Sequence, residues 1–351
     1  MGYLQKMLIN FDFFNKVETQ NQIKKQVNFR SRILKETLLL QQEKIIMRLE
    51  LKNWLILILL AIIWGSSFML MRRGMFTLEG EEIFNNLQVG AIRMSLAGLF
   101  LLPVGLYHLN KIKNIKVFFS ILGVGFFGNF LPAFFFTYAQ NGLSSGYTGM
   151  LNSFTPVFTI LLGAIFFKNR LTTIQLTGLM ISIVGVALLI NAGNSIQTTS
   201  ISSWSHLAAA VSATLCYAIS LNLIKYTLSD VNPLHTTALA FTFTLIPALG
   251  IAIQTNTFKT IQNNPHSLEG LFYISILAII GTAFAVVLFN QLTVNTTTLF
   301  ASSVTYLIPI VAVIIGSIFG ESISTSQITS MVVVLIGIFV ANRKIKKRII
   351  S

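Results

Sequence analysis

The chain has 351 residues, of which 54% are hydrophobic and only 10% are charged, and its formal net charge is +14. Soluble domains carry about 25% charged residues, so this composition excludes an ordinary soluble domain. The positive charge gathers at the ends of apolar runs, which indicates a membrane protein and not a nucleic-acid-binding one. The single cysteine, Cys216, excludes an intrachain disulfide and a thiolate metal site.

Residues 1–50 differ in composition from the rest of the chain. They are rich in Lys, Arg, Gln and Asn and contain no apolar run long enough to span a bilayer. Two interpretations are open: an amphipathic cytoplasmic arm lying on anionic lipid, or upstream translation before a working chain that starts at Met47. We favour the second, because Met47 lies a short distance before the first apolar run.

Ten apolar segments follow, and they predict an all-α polytopic membrane protein with ten transmembrane helices. The segments are 54–71, 87–108, 116–138, 144–167, 173–192, 204–224, 234–254, 269–290, 296–319 and 326–342. Prolines within these segments are expected to kink the helices and to shape a cavity between them. These prolines are Pro103, Pro132, Pro156, Pro247 and Pro309.

Two parts of the chain, 144–190 and 297–341, read alike. Each is an apolar helix with a proline (Pro156 or Pro309), a polar turn, a glutamine (Gln175 or Gln327) and a second apolar helix. Five spans make one repeat, and because five is odd the second copy must enter the membrane from the opposite side. The sequence therefore predicts two inverted five-helix repeats, 52–192 and 202–342, followed by a basic tail, 343–351.

The basic residues predict the orientation of the chain. With the N-terminus inside, thirteen basic residues lie at the inner face and three at the outer face, as the positive-inside rule requires. The thirteen are Arg48, Lys52, Lys111, Lys113, Lys116, Lys168, Arg170, Lys225, Arg343, Lys344, Lys346, Lys347 and Arg348, and the three are Arg72, Arg73 and Lys259. Both termini are expected to be cytoplasmic.

Arg93 lies about six residues into the second span, where an ionisable side chain is costly. Two roles are open for its side chain. In a structural role it reaches the membrane surface, or pairs with a carbonyl and holds helices together. In a functional role it contacts an anion or a carboxylate, or pairs with another residue in a gate. Glu321, in the turn after the ninth span, is expected to make a structural helix-end contact.

Uncharged polar residues fall at matching places in the two repeats, and Trp64 of the first span corresponds to Tyr217 of the sixth. Such residues either hydrogen bond between helices or line a polar cavity, and we favour the cavity. The predicted lining residues are Trp64, Ser66, Asn152, Thr155, Tyr217, Asn222, Ser303 and Tyr306. The sequence has no paired nucleophile and base, no metal-ligand spacing and no phosphate loop, so no catalytic residue, metal or cofactor is expected.

With these residues the chain resembles the drug/metabolite transporter superfamily, of the EamA-type ten-span permeases. The resemblance covers about 50–342 and rests on 64–68 (WGSSF), Arg93, the proline-bearing spans and the turn 320–324 (GESIS) before Gln327. It implies a carrier that exports amino acids, metabolites or drugs. Asn169 stands where the family usually has Glu in the first half, so any role that needs this Glu in both halves is not expected.

The expected function is export of a small organic solute across the cell membrane, by alternating access of the two halves around a central cavity. The expected partners are the solute and the lipid bilayer, and small-residue faces permit a homodimer without requiring it. Other readings remain open: a non-transporting scaffold or sensor, an integral-membrane enzyme, and an importer. The solute and the coupling ion are open as well.

Overall fold

A computed structural model describes residues 47, 50–110, 112, 114–168, 171–194, 201–286, 288–289, 292, 296, 300 and 304–341. The two interpretations of residues 1–46 concern a segment outside this described part. The basic tail, Asn169 and the predicted site residue Ser303 also lie outside it.

The described residues form helices, with one isolated β-bridge between Phe76 and Glu82 in the loop after the first helix. The helices are α1 Glu50–Met75, α2 Asn86–Leu109, α3 Ile115–Ala139, α4 Ser145–Phe167, α5 Thr173–Asn194, α6 Ile201–Thr227, α7 Pro233–Gln254, α8 Thr257–Asn263, α9 Ser267–Phe284, α10 Val304–Ile318 and α11 Thr325–Ala341.

Eight of these helices are long and apolar enough to cross a membrane, so the chain is a multi-pass membrane protein. The predicted count of ten is not confirmed, because α10 and α11 have only 15 and 17 residues in the described part. At 1.5 Å per residue, α10 is about 22 Å long, less than the roughly 30 Å of a hydrocarbon core. The other bounds agree with the predicted spans to within a few residues, except that the described part of α9 ends at Phe284.

Prolines interrupt the regular hydrogen bonding of α3 and α4. Pro156 has no N–H for the carbonyl of Asn152, and that carbonyl accepts from the Thr155 amide in a 3₁₀ turn instead. Pro132 likewise follows a π-helical segment, Phe126–Phe130. A second π-helical segment, Ile279–Phe284, ends α9, so the predicted third and eighth spans carry the same irregularity.

The second spans of the two repeats, α2 and α7, pack antiparallel. The Gln88 side chain at the start of α2 donates a 3.0 Å hydrogen bond to the Thr255 carbonyl at the end of α7. At the other end of the pair, the rings of His108 and His235 stack with their centroids 3.5 Å apart. A Cβ at Gly98 of α2 would lie 3.2 Å from a main-chain carbonyl of α7, so glycine permits this close approach.

The helices of the predicted fifth and tenth spans, α5 and α11, also pack antiparallel. Gly178 lies against Ala341, whereas Gly185, two turns further along α5, lies against Val334. In both pairs, the two helices that hold the same place in the two repeats therefore contact each other and run antiparallel.

Matching capping boxes begin α5 and α11. The Gln175 side chain accepts a 3.0 Å hydrogen bond from the Thr172 amide, and Gln327 accepts one of the same length from Ser324. In return, the hydroxyl oxygens of Thr172 and Ser324 accept hydrogen bonds from the main-chain N–H groups of Gln175 and Gln327. The repeated glutamine of the sequence is therefore a helix-start residue.

Candidate functional site

Arg93 lies between three helices. It is the eighth residue of α2, and its Nη1 atom is 3.6 Å from the sulfur of Met71 on α1. The phenol of Tyr217 on α6 also lies beside the guanidinium. Among the described residues, carboxylates pair with Arg72 and Arg73 but not with Arg93. Arg93 is thus a cation without an anionic protein partner in the described part of the chain.

Aromatic side chains pack against Met71 and Tyr217, the two residues that lie beside this guanidinium. The ring centroids of Phe68 and Phe136 are 5.4 Å apart, edge to face, and those of Phe136 and Tyr217 are 5.8 Å apart. Trp64 packs against the same group of residues. We call this group the Arg93 cluster: Arg93, Trp64, Phe68, Met71, Phe136 and Tyr217.

Trp64 has a fixed position in the cluster. Its indole N–H donates a 3.0 Å hydrogen bond to the carbonyl of Gly281, which lies in the π-helical segment of α9. Its ring also packs against Phe289 at a centroid distance of 5.3 Å. The hydrogen bond joins the first repeat to the second.

The structure brings three predicted site residues together in the cluster: Trp64, Tyr217 and Arg93. Asn152 and Thr155 lie at the 3₁₀ turn of α4, where the Thr155 hydroxyl is 3.4 Å from the Asn152 side-chain oxygen. Tyr306 of α10 packs into a separate apolar cluster.

Two other predicted residues make structural hydrogen bonds. The Asn222 amide donates to the carbonyls of Thr159 at 3.1 Å and Ala218 at 2.9 Å, and so joins α6 to α4. The Ser66 hydroxyl donates to the Ile63 carbonyl one turn earlier at 3.0 Å. The Asn222 bond to Thr159 is of the interhelical kind that the sequence left open beside a cavity, whereas the Ser66 bond lies within α1.

Of the predicted kink prolines, the two in the matching stretches are Pro156, which follows the 3₁₀ turn of α4, and Pro309, which is buried inside α10. The carbonyl of Ile308, the residue before Pro309, would be 3.0 Å from a Cβ at Gly65 of α1. α1 and α10 therefore approach closely at Gly65 of the WGSSF motif and at the residue before the repeated proline Pro309.

A cavity of about 570 Å³ lies at the end of the bundle that carries Arg72. We call it the vestibule. Its lining includes Met69, Arg72, Asn141, Glu321, Ser322 and Gln327. The Glu321 carboxylate accepts 2.8 Å hydrogen bonds from the amides of Ser145 and Gly146, the first residues after the N-cap of α4. The helix-end contact expected of Glu321 is present.

Sequence reasoning missed Phe68, Met71 and Phe136 as members of the cluster. Phe68 belongs to the quoted WGSSF motif, so a signal for it was present. Phe136 and Met71 each follow a run of apolar residues, in which the sequence does not distinguish a cavity-lining residue from a lipid-facing one.

A bundle of apolar helices in two matching copies, with a cation and aromatic rings gathered inside it, defines a membrane transporter better than an enzyme. Comparison with known families agrees. The chain belongs to the EamA-like transporter family, whose model matches residues 52–191 and again 204–343.

Individual relatives are named as transporters. A protein of Archaeoglobus fulgidus named an uncharacterized transporter is 24% identical, over 84% of this chain and 100% of that protein. A probable amino-acid metabolite efflux pump of Salmonella typhimurium is 23% identical, over 82% and 94%. A probable terminal-alkyne amino-acid exporter of Streptantibioticus cattleyicolor is 27% identical, over 47% and 53%.

The fold also occurs among solved structures. One crystal structure, described only as that of a protein, superposes with a TM-score of 0.52 at 14% identity and covers 83% of this chain and 97% of its own. This likeness supports the fold and carries no functional detail.

Proposed function

We propose that this protein exports small organic solutes that carry a carboxylate group, amino acids and related metabolites among them, by alternating access of its two halves. The observation that carries the proposal is the Arg93 guanidinium. It lies within the bundle beside Met71 and Tyr217, and no carboxylate of the described residues pairs with it.

The free energy of an unpaired guanidinium in a membrane-spanning helix favours an anionic ligand. Placing a charged arginine at the centre of a membrane-spanning helix costs at least about 2.5 kcal/mol, and a carboxylate can recover part of this cost through two parallel hydrogen bonds. Arginine binds a planar carboxylate in this way better than lysine does. Phosphate esters are the competing ligand class, and the panel described below includes glycerol phosphate.

The aromatic residues of the Arg93 cluster indicate the rest of the solute. Trp64, Phe68 and Phe136 pack in one cluster with Met71 and Tyr217, the two residues beside the cation. An amino acid with an apolar or aromatic side chain would place its carboxylate at Arg93 and its side chain on these rings. The names of two relatives, an amino-acid metabolite efflux pump and an amino-acid exporter, support the same class.

The architecture that we propose has ten spans in two inverted repeats, in the cell membrane, with both termini cytoplasmic. The antiparallel pairs α2–α7 and α5–α11 support the inversion, since each pair joins helices of the same place in the two copies. The distribution of basic residues supports the orientation, which makes the vestibule an outward-facing cavity.

The experiment compares efflux of labelled alanine, leucine, phenylalanine, glycerol phosphate and a cationic dye from cells that express the wild type, Arg93→Gln or Lys259→Gln. Lys259 is an exposed cation of α8 and serves as the control. We expect the wild type and Lys259→Gln to export at least one amino acid, and Arg93→Gln to lose this flux at least about tenfold. No amino-acid efflux by the wild type, with the protein in the membrane, would contradict the proposal and favour the scaffold.

A further inference from the structure

Arg72 and Arg73 are neighbours in sequence but differ in how firmly they are held. Arg73 is buried, pairs with Glu269, donates a 3.0 Å hydrogen bond to the Phe76 carbonyl and lies over the Tyr273 ring. It is a structural residue. Arg72 is different, because each of its polar contacts is long.

Arg72 lies over the Phe76 ring at 5.7 Å, but its polar contacts are those of a weakly held cation. Its Nε atom is 3.8 Å from a Glu321 oxygen, and its Nη1 atom is 3.3 Å and 3.5 Å from the carbonyls of Gln140 and Leu143. Charge-assisted hydrogen bonds are normally about 2.7–2.9 Å long. The side chain is 39% exposed and lines the vestibule.

Glu321, in contrast, is held by α4. Its two carboxylate oxygens accept 2.8 Å hydrogen bonds from the Ser145 and Gly146 amides, and its side chain is only 10% exposed. When the ion pair separates, Glu321 therefore keeps its partners, whereas Arg72 loses the only carboxylate that pairs with it among the described residues. Arg72 is the residue that can change partner.

The helix α1 connects the vestibule with the Arg93 cluster. Met71 contacts Arg93, Met69 lines the vestibule, and Arg72 follows directly after Met71 in the chain. A solute that leaves the Arg93 cluster towards this end of the bundle therefore meets Arg72 within about one helical turn of α1.

We propose that Arg72 is a second carboxylate-binding residue on the route of the solute, and that the Glu321 carboxylate occupies it when no solute is present. The inference rests on the proposed function. The solute carboxylate displaces the 3.8 Å contact to Glu321, separates the end of α1 from the turn after α10, and is released from the vestibule. Arg72 in this way couples the presence of an anionic solute to opening at the vestibule.

The test measures binding at the vestibule directly. A single-cysteine protein carries Cys216→Ala and Ser322→Cys, because Ser322 is exposed, lines the vestibule and follows Glu321. The rate of modification by a membrane-impermeant anionic methanethiosulfonate is measured in the full-length protein in proteoliposomes, without and with saturating alanine, leucine or phenylalanine. The same measurement is made with Arg72→Gln, Glu321→Gln or the control Lys259→Gln added.

We expect at least one of these amino acids to slow modification severalfold, and Lys259→Gln to leave this protection unchanged. Arg72→Gln should abolish the protection. Glu321→Gln should lower the amino-acid concentration that gives half protection by at least about threefold, because the competing carboxylate is gone. A charge-conserving Arg72→Lys variant should retain part of the protection, which shows that the protein still folds.

Protection that is unchanged by Arg72→Gln, or absent with all three amino acids, would overturn the role of Arg72. If efflux nevertheless depends on Arg93 in the same protein, the proposed function stands and only this inference fails. If the wild type exports none of the amino acids, both fail together.

Discussion

The indole N–H of Trp64 donates a 3.0 Å hydrogen bond to the main-chain carbonyl of Gly281. The bond crosses from α1 in the first repeat to the π-helical end of α9 in the second. A π-helical segment changes the regular pairing of carbonyls, so a carbonyl becomes accessible to a side chain. The bond fixes the tryptophan ring within the Arg93 cluster, where the first repeat contacts the second.

Loss of this hydrogen bond is predicted to weaken transport without unfolding the protein. Trp64→Phe keeps an aromatic ring but removes the donor, at a cost of about 1 kcal/mol. We expect efflux to fall about fivefold, while Trp204→Phe, at an exposed tryptophan of α6, leaves it unchanged. Equal efflux from both variants, measured at matched protein levels, would mean that the bond does not orient the site.

Gly149 tests the packing of α4 on α10, and Gly250 of α7 serves as its control. A Cβ at Gly149 would overlap the Cβ of Ala312, whereas a Cβ at Gly250 has no neighbour within 4 Å. Gly149→Ala should lower stability by about 1–3 kcal/mol through overpacking. Gly250→Ala should be neutral or slightly stabilising, because alanine is the better helix former. Thermal unfolding in detergent tests this, and an equal melting temperature for the two variants would contradict the close approach.

Asn222 is predicted to contribute to stability more than to solute selection. Its amide links α6 to the Thr159 carbonyl of α4, so Asn222→Leu removes an interhelical hydrogen bond worth about 0.6 kcal/mol on average in membrane proteins. We expect a lower melting temperature and an unchanged ranking of transported amino acids. A changed ranking at unchanged stability would instead restore Asn222 to the cavity, where the sequence placed it.

The capping boxes of α5 and α11 give a prediction for both repeats. Gln175→Ala and Gln327→Ala should each cost about 1 kcal/mol, since each removes one half of a reciprocal cap. Gln175→Glu should keep nearly full stability, because a carboxylate accepts the same hydrogen bond at a helix start. Unfolding midpoints measured side by side test this, and a destabilised Gln175→Glu would count against the cap.

Much of the helical architecture could be predicted from the sequence. The predicted span 87–108 became α2, Asn86–Leu109, because an uninterrupted apolar run in a membrane has no other way to satisfy its backbone. The repeated glutamines were recognised as equivalent, and the structure gives them the same role. The interruptions at Phe126–Phe130 and Asn152–Phe154 were not predicted in kind, because a proline removes a donor without specifying whether a π or a 3₁₀ turn replaces it.

The site was harder to predict for a physical reason. Membrane-facing and cavity-facing residues are both apolar, so periodicity does not distinguish Phe136 in the cluster from an exposed residue such as Phe119. Polarity alone does not identify a cavity residue either, since Asn222 and Ser66 use their polar groups between and within helices. Arg93 could be predicted because a charge inside a span is rare. Its pairing with Tyr217 could not, because Tyr217 lies far along the chain in another helix.

The most direct test of the central claim is counterflow of phenylalanine in proteoliposomes that contain the wild type or Arg93→Gln, with phenylalanine amide as the competing solute. The amide has the same ring and ammonium group but no carboxylate. We predict that unlabelled phenylalanine drives uptake of the labelled form through the wild type, that the amide neither drives nor inhibits it, and that Arg93→Gln abolishes it. Equal effects of phenylalanine and its amide, or full counterflow in Arg93→Gln, would contradict the account.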